Sequence, residues 1–333
     1  MRGNKPTETT FRRRTVLGFL LPGSVGLAWV VQARAADAVR IVGSADAPPS
    51  SLEAMERLRA ALEETTRGRF AFTIDNQGAP DDKAALEQVR SGQATLGWVR
   101  VAEIDELAPE LALLTVPFLF MDQQKMMELL ERTSIAPLLN DQLRKQGLEP
   151  LTYLDGGALR LAGATAPSLS GLQGRQIAAR PGRLRMVAFE ALGLTPLAGT
   201  PQPQQPAGEG LLELRTDDLA GIAAGGPGLV IAEPPHAHDL LVVLAHRDRF
   251  GALPLDIRET IRTKTGEVAA WQRGAAAQGE AVALQGLRQR GMQMPTLPES
   301  ERRDAHERVK AAVAGALRNA DQNILSTVLA YAD

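Results

Sequence analysis

Carboxylate and imidazole side chains crowd one short stretch of this sequence, Glu233-Pro-Pro-His236-Ala-His238-Asp239. One oxygen and two ring nitrogens make a partial ligand set for a transition metal. Two histidines one residue apart in a proline-rich turn suit a solvated loop better, and no residue that would orient either ring is legible. The expectation is therefore no resident metal or cofactor, with Glu233, His236 and His238 as the candidates should one bind. Arg100 is a second chemical feature. It follows the apolar segment 94–99, and the carboxyl end of a buried strand is where open α/β sheets place ligands. A guanidinium there could hold an anion, with Trp98 and Phe118 as apolar walls. The arginine-rich runs at 180–185 and 288–290 are expected to be helix surface. There is no P-loop, HExxH, calcium loop or GxSxG elbow after the N-terminal segment, and the glycine clusters at 208–210 and 225–228 lack a strand-turn-helix setting.

The elements that must position these groups follow from periodicity. Residues 39–42 read as a strand, then a helix from Ser51 repeats Leu52, Met55, Leu58 and Leu62 at helical spacing. Alternating Phe70, Phe72 and Ile74 give a strand, 84–89 a helix, and 94–99 a buried strand. That β-α-β-α-β order predicts a parallel sheet in an α/β fold. Helices are expected at 123–132, 135–146, 184–192 and 209–214, and strands at 150–154, 159–161, 175–178, 219–223, 229–232 and 240–244. Residues 200–208, rich in Pro, Gln and Gly, read as a loop. After Pro254 the pattern is helical, over 257–290 and 298–329.

Composition narrows the function classes. With 44% apolar residues and 333 in all, the chain can bury a sizeable core, while 4% aromatics give little material for stacking on bases. The first 35 residues hold six basic groups, including Arg12, Arg13 and Arg14, ahead of an apolar run that ends at Ala33-Arg34-Ala35. This reads as a signal peptide of twin-arginine type, cleaved after Ala35. The remaining 298 residues carry 31 basic and 38 acidic side chains, a net charge of −7 that excludes a nucleic-acid partner. No cysteine is present, so disulfides, thiolate metal sites and thiol nucleophiles are excluded. The expected location is the periplasm, in soluble form after cleavage.

Several segments, in order, resemble the solute receptors of tripartite ATP-independent periplasmic (TRAP) transporters, the DctP-like family. They are LRAALEETTRGRFAFTI, GAPDDKAALEQVRSGQATLG, Pro109-Glu110-Leu111 leading to Val116-Pro117-Phe118-Leu119-Phe120, GLQGRQI, Ala191-Leu192-Gly193 with Thr195-Pro196, and Arg249-Phe250 with Leu253-Pro254. The resemblance spans nearly all of 38–330. It implies a two-lobed, venus-flytrap, type II-like periplasmic binding protein with long C-terminal helices spanning the lobes. One lobe would be 38–155 plus about 243–290, the other 156–242 plus about 291–330. It also implies capture of a small organic ligand, by family default a carboxylate, and delivery to TRAP integral-membrane subunits, with no catalysis.

Where the family's usual strand arginine should stand, this sequence has Ala178, and Arg180 lies two residues on, facing the same way. The family's other arginine best matches Arg160. Leu211 stands at the position of a ring in EGLLELRTDDLAG, and Ala220 at that of an Asp. Losing these groups favours a ligand less charged or more apolar than a plain carboxylate. Arg160 is then the expected principal anion contact, with Arg100 and Arg180 as lesser ones, unless all three face solvent. Two other readings stay open. One is a twin-arginine-exported periplasmic enzyme, which a metal at His236 and His238 would favour. The other is a degenerate receptor-fold sensor or partner-binding module.

Overall fold

A computed structural model describes residues 38–75, 78–163, 168–197, 210–221 and 230–333. The signal-peptide reading at 1–35, the loop at 200–208 and the glycine cluster at 225–228 lie outside them. The described strands form one nine-stranded sheet in the order β2-β1-β3-β9-β4-β7-β5-β6, with β8 pairing β4 off that path. They are β1 (Val39–Gly43), β2 (Phe72–Asp75), β3 (Leu96–Arg100), β4 (Leu148–Gly163), β5 (Gln176–Ala178), β6 (Thr195–Leu197), β7 (Leu211–Arg215), β8 (Val230–Ile231) and β9 (Ala237–His246). The parallel trio β2-β1-β3 bears out the β-α-β-α-β pattern. β3 is buried at every position, as strands covered on both faces by helices must be.

Helix starts follow the caps that the sequence supplies. Asp81 accepts from Ala84 N at 2.8 Å to begin the helix Asp82–Arg90, and Asp122 accepts from Gln124 N at 2.8 Å to begin Gln123–Arg132. Ser51 does not cap the first helix. That helix runs Pro49–Thr66 from Pro48, and Ser51 is buried inside it.

β4 and β9 are the spine. The two short strands expected at 150–154 and 159–161 are one 16-residue strand, which pairs antiparallel with β9 from Leu148 to Leu159 and with β7 from Leu159 onward. The helix expected at 209–214 is strand β7. Leu, Glu and Arg are good helix formers, but here β4 lies on one side and β5 on the other, and all five residues are buried between them. Leu219, expected in a strand, belongs to the short helix Thr216–Gly221.

The helix Leu255–Gln289 is 35 residues long. It is fastened to β4 by the buried Gln272 side chain, which accepts from Asp155 N at 2.9 Å and donates to Asp155 O at 2.8 Å. The stretch expected as one helix over 298–329 is two, Glu299–Ala316 and Gln322–Tyr331, the second capped by Asp321. Three apolar clusters form the core, and among the described residues no helix is long and apolar enough to cross a membrane.

Candidate functional site

Arg160 projects from β4 and is 3% exposed. Its Nε donates to Thr216 Oγ1 at 2.9 Å and its Nη2 to Glu280 Oε1 at 2.8 Å. Thr216 Oγ1 donates to the same Glu280 oxygen at 2.9 Å. Nη1 lies 3.8 Å from Glu233 Oε1 and has no hydrogen-bond partner among the described residues. Beside this guanidinium is a cavity of about 290 Å³. β4 lines it through Asp155, Gly157 and Ala158, and the long helix closes it through Ala276, Ala277, Glu280 and Leu284. The small side chains of Ala276 and Ala277 leave its room, and Gly157, at φ +98°, turns the strand beside it.

The remaining polar lining is Ser50, Gln123, Asp155, Arg215, Asp217 and His238. Asp155 is 6% exposed and accepts from Gly157 N at 2.8 Å. Burial pushes its carboxyl above the usual range, and the neighbouring Glu280 and Asp217 add to the push. Burial also raises Asp217, more than the nearby Arg215 lowers it. Burial holds the His238 imidazole down at about 4, with the charge of Arg160 adding to the effect, so the ring is neutral. Its Nδ1 has no hydrogen-bond partner among the described residues. Arg215 reaches the cavity too, but its guanidinium is held by Asp218 at 2.8 Å and by the Asp46 carbonyl at 2.9 Å.

Behind the cavity runs an ionic network. Asp46 Oδ2 accepts from Arg100 at 2.8 Å and from Arg180 at 3.0 Å. Arg100 also pairs with Asp82, and Arg180 with Asp218 at 2.8 Å. Further in, Arg185 Nη1 donates to Glu213 Oε1 at 2.7 Å and Nη2 to Asp239 Oδ1 at 3.2 Å, while His236 Nε2 meets Glu213 at 3.0 Å. Burial would raise Glu213, yet Arg185 and His236 hold it at about 2.

The arginine-rich run at 180–185 is thus not helix surface: Arg180 and Arg185 are 4% and 2% exposed. Nor do the three candidate arginines face solvent, because each is buried against carboxylates. Of them Arg160 lines the cavity, while Arg100 and Arg180 meet each other at Asp46. Trp98, Phe118 and Leu211 are buried in the apolar clusters and are not part of the lining. Glu233, His236 and His238 are dispersed: Glu233 accepts from Arg288 at 2.8 Å, His236 is on Glu213, and His238 is at the cavity. Among the described residues the one acidic and histidine group tight enough for a metal is His306, Glu307 and Asp333, where Lys310 and His306 both engage Asp333. Asp46, Asp155, Thr216, Asp217 and Glu280 were not legible as site residues. For Thr216 and Asp217 the available signal was their place directly after a buried strand.

Residues 43–201 match the family model DctP, bacterial extracellular solute-binding protein, family 7. The chain is 23% identical over 258 residues to the 2,3-diketo-L-gulonate-binding periplasmic protein YiaO of Escherichia coli (strain K12), covering 73% of this chain and 76% of that one. Its fold is similar to the sugar acid binding protein DctPAm from Advenella mimigardefordensis strain DPN7T in complex with galactonate (TM-score 0.77, 19% identity, 89% of this chain and 98% of that one). It is similar also to a TRAP periplasmic solute binding protein from Roseobacter denitrificans with bound β-D-glucuronate (TM-score 0.77, 18% identity, 88% and 99%).

Proposed function

We propose that the chain is a member of the DctP family of bacterial extracellular solute-binding proteins and the periplasmic receptor of a TRAP transporter. It captures a small hydroxylated solute in the cavity beside Arg160 and hands it to integral-membrane subunits, performing no chemistry on it. The observation that carries this reading is the cavity itself, about 290 Å³, walled by a central strand on one side and the long helix on the other. That volume is near the lower end for small-molecule sites and suits a solute of about six carbons. Relatives whose names specify diketogulonate, galactonate and glucuronate are in keeping with that size.

Residues 38–155 with about 243–290, and 156–242 with about 291–330, act as two lobes that close on the solute. Residues 1–35 direct export and are removed after Ala35, leaving a soluble protein. A thermal-shift screen over sugars, polyols, sugar acids, amino acids and short organic acids tests the reading. A true ligand at 100 times its Kd should stabilise by about 2.7 kcal/mol. If no solute in such a panel raises the melting temperature, the receptor reading fails and a partner-binding module replaces it.

A further inference from the structure

The charges around the cavity do not suit a plain carboxylate. Two arginines line it, and both are already answered from within the chain: Arg160 by Glu280 at 2.8 Å and Arg215 by Asp218 at 2.8 Å. Asp155 and Asp217 also line it, and neither has an ion pair among the described residues. The network behind offers no spare positive charge, because Arg100, Arg180 and Arg185 are each held by two or more carboxylates. An anion entering here would have to displace Glu280 from Arg160 and Thr216 and then sit among three carboxylates. Like charges brought together in a desolvated pocket are what a binding site uses to reject a ligand. What the cavity still lacks is an ion-pair partner for the carboxylates of Asp155 and Asp217.

Resting on the receptor reading, we propose that the solute is a hydroxylated amine. Its ammonium group is held by Asp155 and Asp217, and Glu280 is the specificity residue that takes the place of a ligand carboxylate. The elevated proton affinities of Asp155 and Asp217 agree with this, since a buried and a half-buried carboxyl whose desolvation outweighs the positive charge nearby are in the state that an incoming cation relieves.

Three linear six-carbon probes that differ at one terminal group test the proposal on the purified protein by calorimetry at pH 7: D-glucamine (ammonium), D-glucitol (hydroxyl) and D-gluconate (carboxylate). Glucamine should bind at least tenfold more tightly than glucitol, and gluconate more weakly than glucitol. Asp217→Asn should lower the ratio of glucamine to glucitol affinity at least fivefold. Glu280→Gln, which frees Arg160, should move the ratio of gluconate to glucamine affinity at least tenfold toward gluconate. Gluconate binding tightest to the unaltered protein overturns the proposal while leaving the receptor reading intact. Equal or absent binding of all three also overturns it, and the broad thermal-shift panel then judges the receptor reading separately. An unchanged ratio in Glu280→Gln overturns the role given to Glu280.

Discussion

Asp46 Oδ2 accepts a hydrogen bond from Arg180 Nη1 at 3.0 Å, joining the loop after β1 to the segment after β5 across a sequence separation of 134 residues. The same oxygen takes Arg100 from β3, and the Asp46 carbonyl takes Arg215 from β7. One residue therefore ties together β3, β7 and the segment after β5, which lie in opposite halves of the sheet. Burial pushes the Asp46 carboxyl up, but Arg180 and Arg100 outweigh it and hold the group below its usual value. A depressed carboxylate contributes stability above its unfolded pKa of about 3.9 and loses it as pH falls through the folded value. Asp46→Asn should thus cost about 1 kcal/mol at pH 7, with the side chain 38% exposed and partly screened. The cost should shrink toward zero near pH 3. Urea midpoints at both pH values check it, and a difference that survives at pH 3 would assign the effect to packing.

The Arg185–Glu213 pair lies deeper, with side chains 2% and 0% exposed. Removing one member of such a pair strands the other charge away from water, at about 3–5 kcal/mol. Arg185→Met should reach that range, because Glu213 keeps only His236 and the Arg180 backbone N–H. The double variant Arg185→Met/Glu213→Leu should recover part of the loss. Chemical denaturation of both settles the matter, and a double variant no better than the single would deny that the stranded charge is the cause.

These buried pairs mark where the sequence stops being readable. β1, β3 and the first helices were legible because their apolar spacing is local and each has a turn or cap at its ends. β7 was not, because Leu-Leu-Glu-Leu-Arg favours a helix locally, and only pairing with β4 and β5 makes it a strand. Arg160 was legible as a candidate, but its partner Glu280 is 120 residues away and on a helix that reads as featureless. Arg185 looked like helix surface because its counter-charges, 28 and 54 residues distant, are brought to it only by the fold. Periodicity records which face is buried; it holds no record of which charge meets which.

Gly156 sits where β4 shifts register against β9, between Asp155 and Gly157. A Cβ there would lie 2.7 Å from the Asp239 carbonyl carbon and 2.9 Å from Leu240 N. Backbone cannot yield as a side-chain tip can, so Gly156→Ala should destabilise by about 1–3 kcal/mol through overpacking. It should also weaken ligand binding, since Asp155 and Gly157 line the cavity. Gly266→Ala in the long helix is the control: nothing lies within 4 Å of its added methyl, and the gain should be about 0.5–1 kcal/mol from helix propensity. Thermal unfolding compares the two. Similar melting temperatures would mean that the strand crossing accommodates a side chain.

His238 makes the protein sensitive to acid. Burial first, then the charges of Arg160 and His236, hold its pKa at about 4, against only a small opposing pull from Asp122. An unfolded imidazole titrates near 6.5. Between those values the unfolded chain takes up a proton that the native chain refuses, so stability falls as pH drops from about 6.5 to 4 and levels off below. A gap of that width corresponds to a loss on the order of 3 kcal/mol, of which about 2 should be gone at pH 5. His236, also lowered by burial, adds a parallel loss, while Asp155 and Asp217, raised by burial, act in the opposite sense. Comparing His238→Gln with the parent cancels those shared contributions. Urea unfolding at pH 7 and pH 5 should show the parent losing about 2 kcal/mol more than the variant. Equal losses would mean that the ring gains solvent or a proton acceptor in the native state, and that it does not enter the cavity as a neutral acceptor.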